Sequence, residues 1–313
     1  MATRASQPSL TIPQDQDNVI LDISRREVRL TNLRKVFWPE LGLTKGDLLQ
    51  YYARVAGVLI PHLRDRAMVM KRYPNGASGP FFFMKRAPTP RPSWIETCRI
   101  AHGSDFIDFP MVQDLASLMW VVNLGCIDLN QWYARSDDAE RPDYLHFDLD
   151  PGAGVAFDVV RQSAVIVRDA LAALAMPALV KTTGSKGIHI YVPIVRGPLQ
   201  KDVWRFTKAL AQELQRRHPA LLTTEYAVAR RPAGRVLVDY NQNASGRTLA
   251  SIYSVRPRPE ATVSTPLTWR ELERGVRIED FTMMNVPARV AELGDLWKPL
   301  LSSRGRFDLG QYV

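Results

Sequence analysis

Cysteine and long apolar runs are scarce in this sequence. Only Cys98 and Cys126 occur in 313 residues, too few for a disulfide framework or a zinc site of their own, which predicts a reducing compartment. No stretch approaches the ~18 consecutive apolar residues of a membrane span, and the N-terminus lacks an apolar signal core. We therefore expect a cytoplasmic protein with no membrane partner.

Positive charge is in excess. Lys and Arg total 41 against 32 Asp and Glu, for a net charge of +9 and a pI near 9.7. Such a surplus favours a polyanionic partner, most often nucleic acid, although a basic protein without one remains an alternative. Apolar residues make up 46% of the chain and charged residues 23%, as in globular proteins with a full core. The length allows about two compact units.

Hydrophobic periodicity and turn residues predict a mixed α/β fold, classed as α/β (α+β). Residues 1–18 are polar and aperiodic and are expected to form a flexible tail. The predicted strands cover 28–33, 68–73, 179–183, 188–194 and 236–240, and the predicted helices cover 44–59 (ended by Pro61), 111–123, 157–174, 201–217 and 269–275. With the acidic segment at 145–150 as a further strand, the second half follows a βαββαβ order. That order is typical of a small sheet with helices on one face.

Two carboxylates lie two residues apart at the end of an apolar run, in Leu-His-Phe-Asp-Leu-Asp-Pro-Gly over 145–152. In a strand, Asp148 and Asp150 project from the same face. Like charges this close repel unless a cation lies between them. Oxygen ligands in this arrangement suit Mg²⁺ or Mn²⁺ and leave room for substrate phosphates. The alternative is a strand end with two solvated acids.

A Gly-Ser-Lys-Gly turn joins the next two predicted strands. Its glycines allow backbone N–H groups to turn toward an anion, and Lys186 adds a point charge. Taken alone, such a turn is usually only a hairpin, and His189 beyond it is more often a hydrogen-bonded core residue. Asp239 is a lone acid in the apolar strand Val-Leu-Val-Asp-Tyr, where its burial is costly without a compensating cation. Three acids and a phosphate-cradling hairpin are the groups that two-metal phosphoryl transfer uses.

Together these motifs, in this order, resemble the polymerase domain of bacterial end-joining (LigD-type) DNA ligases, a branch of the archaeo-eukaryotic primase superfamily. The resemblance covers roughly residues 28–300. Its other motifs are Leu-Thr-Asn-Leu-Arg-Lys-Val-Phe (30–37), Thr-Lys-Gly-Asp (44–47), Lys-Arg-Tyr-Pro-Asn-Gly (71–76), Phe-Phe-Met-Lys (82–85) and Tyr-Ser-Val-Arg (253–256). It implies a primase-polymerase fold in one catalytic domain over 19–313. An N-terminal α/β module (about 19–140) would pack against an RRM-like catalytic sheet module (about 141–300).

The resemblance also implies roles for individual residues. Asp148, Asp150 and Asp239 would be the catalytic acids and hold Mn²⁺ or Mg²⁺. The incoming nucleotide, chiefly its triphosphate, would contact Lys71, Thr183, Ser185, Lys186, His189, Arg247 and Arg256. DNA would contact Asn32, Lys35 and Lys45 through a 5′-phosphate across a gap or break, and Phe82 and Phe83 by stacking on the template. For Lys35 and Lys45 the alternative is a solvated surface charge; for the Phe81–Phe83 run it is core packing, with at least one ring expected in the core.

The implied activity is template-directed addition of NTPs or dNTPs, with ribonucleotides preferred, at DNA gaps or ends during non-homologous end joining. The partners would be DNA carrying a 5′-phosphate, a Ku-like end-binding protein and, since no Lys-x-Asp-Gly adenylation motif is present, a separate DNA ligase; the location would be the bacterial nucleoid. Asn130 departs from the histidine of many relatives, which leaves the role of that histidine open here. The alternatives are a primase-like gap-filling polymerase of excision repair, a catalytically silent DNA-end binding module, and an unrelated basic α/β protein.

Overall fold

A computed structural model describes residues 10–313 of the chain. Its strands are β1 (Val19–Asp22), β2 (Glu27–Leu30), β3 (Val36–Trp38), β4 (Leu43–Thr44), β5 (Met68–Arg72), β6 (Phe82–Met84), β7 (Thr97–His102), β8 (Asp105–Pro110), β9 (Cys126–Gln131), β10 (Tyr144–Pro151), β11 (Leu179–Thr182), β12 (Ile188–Pro193), β13 (Leu222–Thr223), β14 (Val236–Asp239) and β15 (Pro266–Leu267). Its α-helices are α1 (Lys45–Leu63), α2 (Leu115–Asn123), α3 (Phe157–Ala173), α4 (Gln200–Arg217), α5 (Trp269–Arg274), α6 (Val286–Leu293) and α7 (Lys298–Leu301).

The second half of the chain forms a six-stranded sheet with the strand order β13-β14-β10-β12-β11-β15. All neighbours in this sheet are antiparallel except β13 and β14. Strand β10, which carries the paired acids, lies near the centre between β12 and β14. The predicted βαββαβ order and the mixed α/β fold class are confirmed, and the short strands β13 and β15 extend the sheet at its edges.

Helices α3 and α4 contact each other and the strands beneath them. In α3 the residues that recur every three or four positions, such as Val160, Ala164, Val167 and Leu171, are buried, as expected for an amphipathic helix on a sheet. The predicted helical periods at 157–174 and 201–217 are confirmed to within a residue or two. Asp150, near the end of β10, stays exposed.

The first half contains the three-stranded sheet β6-β5-β9 and the hairpins β1–β2, β3–β4 and β7–β8. Helix α1 begins at the predicted capping box, in which Thr44 accepts from the Asp47 N–H and Asp47 accepts from the Thr44 N–H. The predicted end at Pro61 is wrong, because α1 continues to Leu63. A proline this close to the C-terminus removes one helical hydrogen bond, while Leu63 is fully buried and holds the last turn in the core.

The predicted helix over 111–123 is too long at its N-terminus. Helix α2 begins only at Leu115, after Asp114 caps it by accepting from the Ser117 N–H. Met111 instead forms a β-bridge with Ala67. The apolar residues Met111 and Val112 belong to an extended segment, and an apolar run alone cannot separate that from a helix.

The segment before β1 packs against the domain from Leu10 onward. Ile12 is buried, and its N–H donates to Gln50 Oε1 over 2.8 Å. Gln50 Nε2 in turn donates to the Leu10 carbonyl over 3.0 Å. The tail expected over 1–18 is therefore contradicted from residue 10; residues 1–9 lie outside the described part of the chain.

One connected apolar cluster runs through both halves. It includes Leu48 and Leu59 of α1 and Leu149 and Val167 of the sheet half. The N-terminal elements thereby have a fixed relation to the strand that carries the acids. No helix within residues 10–313 is long and apolar enough to cross a membrane.

Candidate active site

Sheet register brings the three predicted acids and His189 to one end of the central strands. Asp148 on β10 lies opposite Asp239 on β14 and opposite His189 on β12. His189 Nε2 is 3.3 Å from Asp148 Oδ1. The antiparallel pairing therefore places residues that are distant in sequence next to one another.

Asp148 is a buried carboxylate whose hydrogen-bonding capacity and charge are only partly satisfied by its neighbours. Burial, followed by repulsion from Asp239, raises its pKa to about 7. Its Oδ1 atom makes no hydrogen bond within the described residues. An ionised carboxylate in this position needs a positive counter-charge.

Asp150 is exposed at the end of the same strand. Its pKa is also raised to about 7, here mainly by the charge of Asp148, with burial and Asp239 contributing further. Lys186 and Arg231 act in the opposite direction. The predicted repulsion between the two neighbouring acids is thus a property of the site.

Asp239 is already hydrogen-bonded. Its Oδ1 accepts from the Tyr226 hydroxyl over 2.9 Å and from the Asn241 N–H over 2.8 Å, and its Oδ2 accepts from Gln242 over 2.9 Å. These hydrogen bonds offset the cost of burying the Asp239 carboxylate, which the sequence alone did not account for. They also turn its oxygens toward Tyr226 and the 241–242 turn.

No three acidic, histidine or cysteine side chains within residues 10–313 converge closely enough to form a ready metal site. The chemistry of the donors nevertheless fits a divalent cation. Asp148 and Asp150 offer oxygen ligands of the kind that Mg²⁺ and Mn²⁺ prefer, and Asp148 Oδ1 has no hydrogen-bond partner within the described residues.

The hairpin at 183–187 has a tightly determined backbone. Thr183 Oγ1 accepts from the N–H groups of Ser185, Lys186 and Gly187 over 3.0–3.2 Å. The expectation that these amides are turned toward an anion is therefore not met: they converge on the Thr183 hydroxyl. What the turn presents outward is the exposed Lys186 side chain and the half-buried Ser185.

Two glycines are required in this hairpin. Gly184 has φ +65°, and a Cβ there would lie 2.7 Å from the Ser264 nitrogen. A Cβ on Gly187 would lie 2.2 Å from the Leu149 carbonyl oxygen of the acid strand. Both contacts are shorter than packed atoms allow, so the turn is pressed against β10 and the 263–264 segment.

A cavity of about 510 Å³ lies between the hairpin and the first half of the chain. Every predicted nucleotide-binding residue lines it, together with two of the three predicted acids. Its predicted lining residues are Lys71, Asp148, Asp150, Thr183, Ser185, Lys186, His189, Arg247 and Arg256. Asp239 is outside this lining, consistent with its hydrogen bonds to the neighbouring turn.

Sequence reasoning missed Asp128, which also lines the cavity. Its carboxylate lies 3.7 Å from Lys71 Nζ and 3.6 Å from Arg256 Nε. The signal was available, because Asp128 is a lone acid in the apolar run Cys-Ile-Asp-Leu of β9, the same pattern that identified Asp239. Asn130, on the same strand, also lines the cavity and donates to the Asp128 carbonyl.

Lys181 was missed as well. Its ammonium is fully buried and donates to the Ala250 carbonyl over 2.9 Å and to Ser264 Oγ. Burial lowers its pKa well below the usual value, an effect that Arg256 reinforces and Asp148 opposes. Burial, followed by the charges of Lys181 and Arg256, lowers the pKa of His189, whose imidazole lies beside Asp148.

The three phenylalanines at 81–83 all face solvent. Phe81 is 50%, Phe82 43% and Phe83 57% exposed. The expectation that at least one of them is a core residue is wrong, because Phe82 and Phe83 lie on β6, an edge strand of a three-stranded sheet, and Phe81 directly precedes it. Arg72 lies over the Phe82 ring, 5.1 Å from its centroid. Exposed rings beside the cavity are available for stacking.

Asn32, Lys35 and Lys45 lie on adjoining backbone segments. The Lys35 N–H donates to the Asn32 carbonyl and the Lys45 N–H to the Lys35 carbonyl. Asn32 and Lys35 are exposed, whereas Lys45 is buried and its Nζ donates to the Thr31 carbonyl over 2.6 Å. Burial, followed by the charge of Lys35, lowers the pKa of Lys45 to about 8. Lys45 is therefore not the solvated surface charge that was its alternative reading.

Comparison with known proteins identifies a family. Residues 44–297 match the family described as LigD, primase-polymerase domain. The chain is 34% identical over 285 residues to the multifunctional non-homologous end joining DNA repair protein LigD of Mycobacterium tuberculosis. The aligned region covers 88% of this chain and 37% of that protein. It is 28% identical over 269 residues to the bifunctional non-homologous end joining protein LigD of Bacillus subtilis, covering 86% of this chain and 43% of that protein.

A solved structure of the polymerase domain from Mycobacterium tuberculosis ligase D in complex with DNA has the same fold. The TM-score is 0.83 at 34% sequence identity, over 88% of this chain and 98% of that one. The chain spans less than half the length of the curated relatives it matches.

Proposed function

The chain belongs to the LigD primase-polymerase family, and we propose from this that it is a template-directed polymerase that fills or extends DNA ends during non-homologous end joining. The reaction is nucleotidyl transfer: the primer 3′-hydroxyl attacks the α-phosphorus of a nucleoside triphosphate, and pyrophosphate leaves.

One observation carries this proposal. A single cavity contains two acids of raised pKa and, facing them, the cations Lys71, Lys186 and Arg256. Acids that lack a counter-charge suit catalytic divalent cations, and the cations suit a triphosphate. A silent DNA-binding module would need neither the unpaired acids nor the cavity.

Asp148 and Asp150 would hold the divalent cations, with Asp239 as a third acid. Such cations, when bound, neutralise charge on the transferring phosphate and lower the pKa of the primer hydroxyl. The chain's own residues supply the rest. Thr183 fixes the hairpin because its hydroxyl accepts hydrogen bonds from three backbone N–H groups, and the imidazole of His189 lies beside Asp148.

Cationic side chains on three segments bind the triphosphate. Lys71 comes from β5, Lys186 from the hairpin, and Arg256 from the segment before β15. Arg247 lies exposed at the cavity rim, where it reaches a nucleotide as it enters. Fixing the triphosphate at several points orients its α-phosphorus toward the acids.

DNA is held outside the cavity. Phe82 and Phe83 stack on template bases, which is worth roughly 1–3 kcal/mol per base. Asn32, Lys35 and Lys45 bind a 5′-phosphate on the far side of the gap. The proposed partners are gapped or broken DNA, a Ku-like end-binding protein and a DNA ligase activity, and the proposed location is the bacterial nucleoid.

We further propose that ribonucleotides are preferred. A site that hydrogen-bonds the ribose 2′-hydroxyl leaves polar groups unpaired when a deoxynucleotide binds. The polar side chains of Lys71, Thr183 and His189 line the cavity in which the sugar must lie. The expected advantage of an NTP over its dNTP in kcat/KM exceeds about tenfold, or 1.4 kcal/mol.

Primer extension tests the proposal. The substrate is DNA with a short gap and a 5′-phosphate, supplied with either Mn²⁺ or Mg²⁺ and with matched ATP or dATP opposite thymine. We expect templated addition that requires a divalent cation and favours ATP. Absence of addition with both cations and both nucleotides would contradict the polymerase assignment, while equal use of ATP and dATP would contradict only the sugar preference.

A further inference from the structure

Asp128 is a buried acid that lines the cavity. The reaction described above gives this residue no role. It lies on β9, and its side chain is only 2% exposed. Two cations from different parts of the chain meet at its Oδ2 atom. Lys71 Nζ on β5 is 3.7 Å away, and Arg256 Nε is 3.6 Å away.

Both separations are longer than a hydrogen bond. The carboxylate therefore attracts the cations by charge while their N–H groups stay available to another acceptor. Arg256 Nε has no hydrogen-bond partner within the described residues, and neither does Asp128 Oδ1. A cluster with unused donors that faces a cavity is suited to receive an anion.

Lys71 also lies close to three aromatic rings. Its ammonium nitrogen lies 4.1 Å from the centroid of the Phe81 ring, 5.5 Å from that of Tyr73 and 5.8 Å from that of Phe83. A cation over aromatic faces is attracted by their quadrupoles. The ammonium thus has a defined position between three rings and one carboxylate.

Without Asp128, the positive charges of Lys71 and Arg256 would lie close together with no anion between them. The two cations would repel each other and turn toward solvent. The charged form of Lys71 would then be opposed by burial and by Arg256, with no carboxylate to favour it. Its pKa is already lowered by burial and by Arg256, and Asp128 opposes that decrease. The carboxylate therefore sets both the place and the charge of Lys71.

We propose that Asp128 is a positioning residue for the incoming nucleotide, holding Lys71 and Arg256 together so that both cations contact the same triphosphate. This inference rests on the proposed function for the identity of the anion. Asp128 itself touches neither the reacting atoms nor a phosphate, since like charges exclude that contact.

Two effects of Asp128 oppose each other and can be separated. Its negative charge weakens the potential that attracts an anion, so removal of the charge alone would tighten triphosphate binding. Its position keeps two cations convergent, so loss of the position would weaken binding. The proposal is that position outweighs charge, and this fixes the sign of the expected result.

The test uses Asp128→Asn, Asp128→Glu and the control Asp143→Asn in the full chain. Asp143 is another buried acid between two cations, with Arg66 at 2.7 Å and Arg135 at 2.9 Å, but it does not line the cavity. The first readout is calorimetric binding of inorganic tripolyphosphate without added metal. The second is KM and kcat for ATP in single-nucleotide addition.

We expect Asp128→Asn to weaken tripolyphosphate binding and raise the KM for ATP by about tenfold, with kcat changed by less than about threefold. Asp128→Glu keeps the charge but moves it, and is expected to bind tripolyphosphate more weakly than the parent and more tightly than Asp128→Asn. Asp143→Asn is expected to lower thermal stability, because it breaks a buried ion pair, while leaving tripolyphosphate affinity unchanged.

Tighter or unchanged tripolyphosphate binding by Asp128→Asn would overturn the proposal, as would an equal loss in Asp143→Asn. If Asp128→Asn does not fold, Asp128→Glu decides: unchanged binding in that variant overturns the proposal. If the parent protein adds no nucleotide, the proposed function fails on its own, while the tripolyphosphate measurement still decides whether Asp128 positions the two cations.

Discussion

Two regions of this protein hold like charges side by side, one with cations and the other with acids. At the start of α1, burial and the neighbouring Lys35 lower the pKa of Lys45 to about 8. At the end of β10, burial and mutual repulsion raise the pKa of Asp148 and Asp150 to about 7. In both regions the charge is unfavourable in the free protein and becomes favourable when an ion of opposite sign arrives.

The two regions differ in how many hydrogen bonds their charged groups make without a ligand. Lys45 donates to a backbone carbonyl, and Lys35 donates to the Pro74 carbonyl and to Asn75. Asp148, in contrast, keeps an oxygen without a hydrogen bond. Under the proposed function, the cation pair would be a preformed anchor for a phosphate, whereas the acid pair would be completed by a bound cation.

The largest expected effect is on catalysis. Asp148→Ala, Asp150→Ala or Asp239→Ala should each reduce nucleotide addition by more than about 100-fold, or 2.7 kcal/mol, because each removes a proposed cation ligand. Binding to gapped DNA should change little, since the cation pair is untouched. Steady-state addition and a DNA-binding titration on the same samples measure both, and near-normal addition by any of the three would remove that acid from the assignment.

The next effect is on stability, and it tests whether the ionised Asp148 carboxylate destabilises the free protein. The folded-state pKa of Asp148 lies above its unfolded value, so ionisation penalises folding progressively above about pH 4 and fully above about pH 7. Asp148→Asn should therefore raise the free energy of unfolding at pH 8 by roughly 4 kcal/mol, since the pKa rises from 3.8 to about 7 and each pKa unit corresponds to about 1.4 kcal/mol, and leave it nearly unchanged at pH 4.

Urea unfolding in the presence of a chelator measures this difference. Added Mn²⁺ should stabilise the parent protein at pH 8 more than Asp148→Asn. A variant that is less stable than the parent at pH 8 would show that the carboxylate is satisfied in the free protein, and the contrast between the two regions would disappear.

A smaller effect concerns the cation pair. Lys35→Ala and Lys45→Ala should each weaken binding to gapped DNA that carries a 5′-phosphate by about tenfold, or 1.4 kcal/mol. The same DNA without the phosphate should lose less. Fluorescence anisotropy with the two DNAs provides the comparison, and equal losses would mean that these lysines are general backbone contacts.

The smallest effect is the pH dependence of the same anchor. Lys45 loses its proton as pH rises through about 8, so the gain in affinity from the 5′-phosphate should fall several-fold between pH 7 and pH 9. Lys45→Ala should remove this dependence. A gain that stays constant over that range in the parent would indicate that Lys45 does not face the phosphate.

Local patterns predicted the elements of the sheet half well. The acids, the turn glycines and the amphipathic helices each follow from spacing within a few residues, and they appear where expected. The residues that the family resemblance assigned to nucleotide binding also line one cavity. Strand register explains only part of this, such as the position of His189 beside Asp148.

What the sequence could not supply were relations between distant segments. The role proposed for Asp128 depends on its contacts with Lys71 and Arg256, which lie far from it in sequence. One hydrogen bond of Asp239 comes from Tyr226, which lies in the segment after β13. The Phe81–Phe83 run was misread because exposure depends on whether a strand lies at a sheet edge. The extension of α1 past Pro61 depends on the buried Leu63, which only tertiary packing reveals.

The close approach of the hairpin to the acid strand bears on the engineering of this protein. Of the four residues in the Gly-Ser-Lys-Gly turn, Gly184 and Gly187 leave no space for a side chain. A library that seeks acceptance of modified triphosphates therefore has two useful positions in this turn, Ser185 and Lys186.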